Sequence, residues 1–176
     1  MKNWKLERRR DHFYKMAKRE GYRSRAVYKL LEIQKRYKIL KAGFKVLDLG
    51  CAPGGWLQVI SSIIGLRGIV VGVDIKPVKP LKTGNVKLIN LDLRSPELPG
   101  KILETVGGKL DLIVSDASPN ISGVWEVDHA RQIELAEAAL KTALETLKPG
   151  GNLLVKVFEG DLLPSFIKRL REKFEA

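Results

Sequence analysis

The sequence predicts an α/β fold, a mostly parallel sheet with helices on both faces. From Phe44 onward, short apolar runs rich in Val, Ile and Leu alternate with stretches whose apolar residues recur at helical spacing. Aspartates and glycines punctuate the ends of the short runs, at Asp48-Leu49-Gly50, Asp74, Asp92 and Asp116. The 176 residues, 44% of them hydrophobic, suffice for one domain with its own core.

Taken in order, Ser24 is the expected N-cap of a helix over about 24–36, where Val27, Leu30, Leu31 and Ile33 fall at helical spacing. A shorter basic helix is expected before it, around 8–19. Phe44 to Leu49 reads as a buried strand, Gly55 to Ile64 as a helix, and Gly68 to Val73 and Val86 to Ile89 as two further strands. Leu110 to Ser115 is the fourth strand. Val127 to Leu147 reads as a long helix stopped by Lys148-Pro149-Gly150-Gly151, Asn152 to Phe158 as the fifth strand, and 161–174 as a last helix. In such sheets ligands bind outside the carboxyl ends of the strands, where strand order reverses.

Composition narrows the function classes. Every apolar stretch is broken by Gly, Lys or Asp well short of the roughly 18 residues a membrane span requires. The charged start Met1-Lys2-Asn3-Trp4-Lys5 is followed by no apolar signal region, so a cytoplasmic location is expected. A single cysteine, Cys51, excludes an intrachain disulfide framework and a multi-cysteine zinc site, and with only His12 and His129 no metal site is expected. The formal net charge is +12, unevenly spread. Residues 1–40 carry 14 basic and 4 acidic side chains, the remainder 18 and 16. We read residues 1–40 as a basic N-terminal helical extension of the same domain, and 41–176 as the near-neutral ligand-binding domain. A cationic segment of this kind points to a polyanion, although a thermophile surface or an acidic protein partner has the same signature.

The first strand ends in Val46-Leu47-Asp48-Leu49-Gly50-Cys51-Ala52-Pro53-Gly54-Gly55-Trp56. Its glycines allow a tight turn and close approach to a ligand, and the following helix offers unpaired N–H groups. The spacing is neither G-x-G-x-x-G nor a phosphate loop, which argues against a dinucleotide oxidoreductase. Asp74 at the second strand end suits ribose hydroxyls, and Asp92 after the third suits an adenine amino group. With Asp48 and Asp116, four strand ends carry carboxylates. Such an acidic site suits a ligand bearing a sulfonium and an ammonium better than one bearing a pyrophosphate. Cys51, with no basic neighbour in sequence, reads as a small filler.

Asp-Leu-Gly-Cys-Ala-Pro-Gly-Gly-Trp resembles the cofactor loop of the FtsJ/RrmJ family of RNA ribose 2'-O-methyltransferases. Arg23-Ser24-Arg25-Ala26-Val27-Tyr28-Lys29-Leu30, Ser115-Asp116-Ala117-Ser118-Pro119-Asn120-Ile121-Ser122-Gly123 and Leu154-Val155-Lys156-Val157-Phe158-Glu159-Gly160 resemble its other signatures, in the same order. The resemblance implies a Rossmann-like methyltransferase fold lacking the last two strands of a seven-stranded sheet. It implies that Gly54, Trp56, Asp74, Asp92 and Asp116 contact S-adenosylmethionine. It also implies a further catalytic glutamate on a strand after the last helix, a position this sequence does not contain; residues 41–176 thus read as a C-terminally short methyltransferase domain.

A ribose hydroxyl is a poor nucleophile at neutral pH, so a base must take its proton or a cation must stabilise the developing alkoxide. A lysine does either when burial or a nearby positive charge loosens its proton. Lys156 lies in the otherwise apolar run Leu153, Leu154, Val155, Val157 and Phe158, where pattern alone allows an edge-strand gatekeeper as well as a site residue. By pattern Lys29 is a solvated helix lysine. The resemblance makes Lys156 the base, with Lys29 and Asp116 bracketing it.

Trp4, Phe13, Tyr14, Tyr22, Tyr28 and Tyr37 are interleaved with the cations of residues 1–40, as in surfaces that grip phosphates and stack on bases, although packing explains most such aromatics. The expected partner is RNA, ribosomal RNA first, as a uridine of the large subunit, and tRNA second, with the protein a monomer. A non-catalytic RNA-binding protein on a methyltransferase fold is the rival reading.

Overall fold

The computed structural model describes residues 12–175. Helices α1 (His12–Arg19) and α2 (Val27–Tyr37) precede β1 (Lys45–Leu49) and α3 (Gly55–Ile64). There follow β2 (Ile69–Asp74), β3 (Val86–Asn90), α4 (Leu98–Val106), β4 (Leu110–Ser115), α5 (Trp125–Thr146), β5 (Leu147–Val155) and α6 (Leu163–Arg171). Every strand pairing is parallel, in the order β3-β2-β1-β4-β5. The chain runs outward from β1 to β3, then returns to place β4 on the other side of β1. That reversal opens a crevice at the carboxyl ends of β1, β2 and β4.

The two-residue period of the strands divides their side chains between two cores. Val46, Val70, Leu112 and Val114 pack on one face with Val27 and Leu30 of α2 and Leu57, Ile60 and Ile64 of α3. Leu47, Leu49, Val71, Val73 and Ile113 pack on the other with Leu98, Ile102 and Val106 of α4 and Ala139 and Ala143 of α5. Helix α6 extends this second layer through Phe166, fully buried against Ile133, Ala136 and Leu140 of α5.

Three elements depart from expectation. Helix α2 starts at Val27, because the N–H groups of Val27, Tyr28 and Lys29 each reach the carbonyl three residues back and Ser24 Oγ accepts the Ala26 N–H. Ser24 thus caps a tight 3₁₀-like turn that leads into the helix. Strand β5 begins at Leu147, which pairs with Leu110, and a register shift separates that pair from Leu112↔Asn152. The Pro-Gly-Gly run therefore lies inside the strand as its irregular portion. Pairing with β4 ends at Val155, with one further backbone bond from Lys156 N–H to Ser115 O at 2.9 Å. Helix α4 is an addition, entered through Pro99 and closed by Gly107 in the left-handed conformation. The expected helix start at residue 8 and Trp4 lie outside the described residues. The sheet among the described residues has five strands, all parallel. Among the described residues no helix is long and apolar enough to cross a membrane.

Phe166 is the only fully buried aromatic by which α6 holds the second layer among the described residues. Phe166→Ala is expected to cost about 3–5 kcal/mol, read as a lower urea midpoint at unchanged slope; a loss under about 1 kcal/mol would mean that α6 is not anchored this way.

Candidate active site

β1 carries Asp48 on the same face as Val46, where the carboxylate is 1% exposed and its Oδ2 has no hydrogen-bond partner. Burial, then the negative charges of Asp116 and Asp74, push this carboxyl well above the usual range. The chain then turns at Gly50, at φ 77°, where an added Cβ would lie 2.6 Å from Ala117 Cα. Only glycine lets the end of β1 pass so close beneath the loop after β4. Gly50 and Cys51 both donate their N–H to Val73 O, which ties the loop to β2. The Cys51 thiol is buried, and burial with nearby Asp48 and Asp74 raises its pKa, so it remains a protonated filler.

A cleft of about 530 Å³ opens over these strand ends, with Gly50, Asp74, Asp92 and Asp116 on its walls, a size suited to a nucleoside-sized ligand. Asp74 accepts the Ala52 N–H at 2.9 Å and the Lys76 N–H at 2.8 Å, which fixes its carboxylate at the cleft edge. Asp92 accepts three bonds from Arg94, from its backbone N–H, Nε and Nη2, and these hold its carboxyl below the usual range. A narrow hollow of about 30 Å³ adjoins the cleft, bordered by Ser24, Asp48, Trp56 and Asp116. Gly50 and Asp116 border both spaces.

Lys156 reaches the site from the end of β5. Its Nζ donates to Asp116 O at 2.8 Å and lies 2.8 Å from Asp116 Oδ1, with both side chains partly buried. Beneath this pair Gln132 of α5, 1% exposed, donates Nε2 to Ala117 O at 3.1 Å and Lys156 O at 2.9 Å. One buried amide thus clamps the ends of β4 and β5 together. On the opposite side, Trp56 Nε1 donates to Ala26 O at 2.8 Å, and Arg23 donates to the carbonyls of Pro53, Lys79 and Pro80. The start of α2 is therefore fastened onto the loop after β1.

A model of the FtsJ-like methyltransferase family matches residues 22–176. The chain is 48% identical over 174 residues to the ribosomal RNA large subunit methyltransferase E of Methanococcus maripaludis strain C7, covering 99% of this chain and 67% of that one. It is 47% identical over 177 residues to the protein so named from Methanocaldococcus jannaschii, covering 99% and 72%. The chain belongs to the FtsJ-like methyltransferases. Its fold matches the crystal structure of a putative ribosomal RNA methyltransferase from Plasmodium falciparum with TM-score 0.78 at 30% identity, over 87% of each chain. Aeropyrum pernix fibrillarin, solved with S-adenosyl-L-methionine natively bound, shares the fold at TM-score 0.60 and 23% identity, over 86% of this chain and 65% of that one.

The methyl donor of this family is S-adenosylmethionine, and the residues present fit it. A buried carboxyl group with one oxygen lacking a hydrogen-bond partner, flanked by two more carboxylates, is a costly arrangement that a ligand carrying positive charge relieves. The structure places Asp74, Asp92 and Asp116 around one cleft and Trp56 at the adjoining hollow. Gly54 faces away from both, with an added Cβ 2.8 Å from Arg23 Nη1. Its lack of a side chain makes room for the Arg23 fastening. Lys29 is exposed on α2 and makes no bond to Lys156 or Asp116. Sequence reasoning counted Asp48 among the carboxylates of the site without giving it a contact, and it missed Gly50, which stands in the same loop. It also missed Arg131 and Glu134, which line the cleft from α5; no local signal shows which helix face meets a sheet end.

A pKa raised by folding makes Asp48 a liability above the unfolded value of about 3.9. The folded state keeps the proton that the unfolded chain loses, so stability falls as pH rises from there toward the folded pKa. Asp48→Asn is expected to unfold at the same temperature as the parent near pH 4 and at a higher one near pH 7 without cofactor, while binding S-adenosylmethionine more weakly. A tenfold change in proton affinity is worth about 1.4 kcal/mol, so differential scanning calorimetry resolves the trend. A temperature difference independent of pH would contradict the assignment.

Proposed function

We propose that this chain transfers the methyl group of S-adenosylmethionine to a ribose 2'-hydroxyl of RNA, specifically a uridine of large-subunit ribosomal RNA. The observation that carries the reading is Lys156 held against Asp116, the carboxylate that lines the acidic cleft. The names of the curated relatives support ribosomal RNA as the substrate.

The bound donor supplies an electrophilic methyl group on a sulfonium. Asp74 and Asp92 hold the ribose and adenine ends, and Asp48 and Asp116 balance the positive charges, with Trp56 closing the hollow beside them. Gly54, in the loop after β1, contacts the donor with its main chain, and its missing side chain leaves room for Arg23 to reach the Pro53 carbonyl. Lys156, its amine oriented by Asp116, receives the proton the 2'-hydroxyl loses as its oxygen attacks in line. Lys29, exposed on the fastened helix α2, brackets Lys156 together with Asp116, and its positive charge draws the phosphates of the substrate inward. Residues 1–40 act as the RNA-gripping extension of this domain. The protein works as a monomer in the cytoplasm.

Lys156→Ala is expected to lower methyl transfer at least 100-fold, the usual scale for loss of a general base, while S-adenosylmethionine affinity stays within about threefold. The measurement is transfer of a labelled methyl group to unmodified ribosomal RNA, with calorimetry for the cofactor. Full turnover by the variant would refute the role of Lys156, and a product lacking 2'-O-methylation would refute the reaction.

A further inference from the structure

Trp125 stands at the first position of α5 with 54% of its surface exposed, although an isolated tryptophan would gain by burial. It is held in a defined orientation. Its ring lies nearly parallel to that of His129, 9° apart with centroids at 5.9 Å, and stacks on Phe158 at 21° and 6.1 Å. Both are offset-stacked arrangements. His129 is itself locked, being 4% exposed, accepting the Leu162 N–H at its Nε2, and packed so tightly on Gly160 that a Cβ there would lie 2.7 Å from the imidazole. Asp128 accepts the N–H groups of Ser122 and Gly123, which fixes the turn leading to Trp125. An exposed aromatic face is thus built on a rigid base.

Its position relates it to the site. Phe158 is two residues beyond Lys156, a reach of at most about 7 Å along the chain. Trp125 follows the loop from Asp116, and Ser118, Pro119 and Asn120 of that loop line the cleft. The exposed Ile121 and Val124 continue the apolar surface along the same loop. The geometry points to Trp125, backed by Phe158 and His129, as a stacking platform for a nucleobase next to the ribose that meets Lys156. This inference rests on the RNA methyltransferase reading of the same site. RNA is the partner that fits, because an open aromatic face beside a hydroxyl-activating lysine matches the two parts of one nucleotide, and a base offers a flat π-surface irrespective of sequence.

The test uses the full chain with a protein-free large-subunit ribosomal RNA transcript and a short single-stranded oligoribonucleotide. Trp125→Ala is expected to raise KM for RNA about 5- to 100-fold, the range found when a stacking aromatic is removed, with kcat and S-adenosylmethionine affinity changed less than about threefold. Trp125→Phe should retain most of the affinity. RNA should quench the indole fluorescence of the parent, and the Trp125→Phe variant should lose that part of the quenching. Unchanged KM in Trp125→Ala overturns the platform, as does RNA quenching that is undiminished in Trp125→Phe. RNA that leaves Trp125 fluorescence unchanged, with full activity in the alanine variant, assigns the surface to a protein partner and likewise overturns it. If Trp125→Ala unfolds, the phenylalanine variant's quenching decides. Failure of the methyltransferase reading is distinguishable: the parent would show no methyl transfer, while quenching by the oligoribonucleotide would still report on Trp125.

Discussion

Three carboxylates converge where β1, β2 and β4 end, and the innermost, Asp48, is buried without a partner. Parallel pairing makes this unavoidable once each strand finishes in aspartate, because Asp48 pairs in register with Gly72 and Val114, close to Asp74 and Ser115. A buried carboxyl of that kind resists ionisation in the ligand-free fold. The surrounding structure keeps it in place. Gly50 allows the close crossing under Ala117, Val73 O holds the loop, and the two cores of the sheet prevent the strands from sliding apart. Stability given up at the strand ends becomes affinity for a cationic ligand.

The methyl-accepting side is built differently. Lys156 lies just past the end of β5 pairing, where its N–H still bonds Ser115 O and its amine reaches Asp116 on the cleft wall. Its carbonyl is not left to solvent: Gln132 holds it and Ala117 O with one amide group. Lys156 and the cleft are therefore set by one rigid element, α5, whose length also supplies Arg131 and Glu134 to the cleft wall. A small molecule and an RNA can then approach from different sides of one carboxylate, Asp116.

The order and type of the strands, and the helices α3 and α5, were legible in the sequence because buried parallel strands read as unbroken apolar runs between turn residues. Helix α4 was not assigned, although Leu98, Ile102 and Val106 recur every fourth residue, because two prolines and a glycine precede or interrupt that stretch. The start of β5 was hidden for a similar reason: Pro149-Gly150-Gly151 reads as a stop, and only pairing of Leu147 with Leu110 draws it into the sheet. In the site, the strand-end aspartates and Lys156 could be named from position. The clamp by Gln132 and the orientation of Gly54 toward Arg23 depend on which surfaces meet, and spacing does not encode that.

Charge then sorts the two ligands. The start of α2, bearing Arg23, Arg25 and Lys29, is fastened to the loop after β1 by Trp56 and Arg23, and Ser24 borders the same hollow as Asp48. A positive rim thus lies against an acidic floor. A polyanion is drawn to the rim, since its phosphates gain there, and is kept off the floor by the carboxylates, whereas a small cation is favoured at the floor and disfavoured at the rim. Most of the excess positive charge of the chain sits in residues 1–40, with near neutrality elsewhere. If the fastening at Ala26 and Pro53 were lost, the rim would no longer be registered on the floor, and the reacting ribose and the sulfonium would lose their common frame.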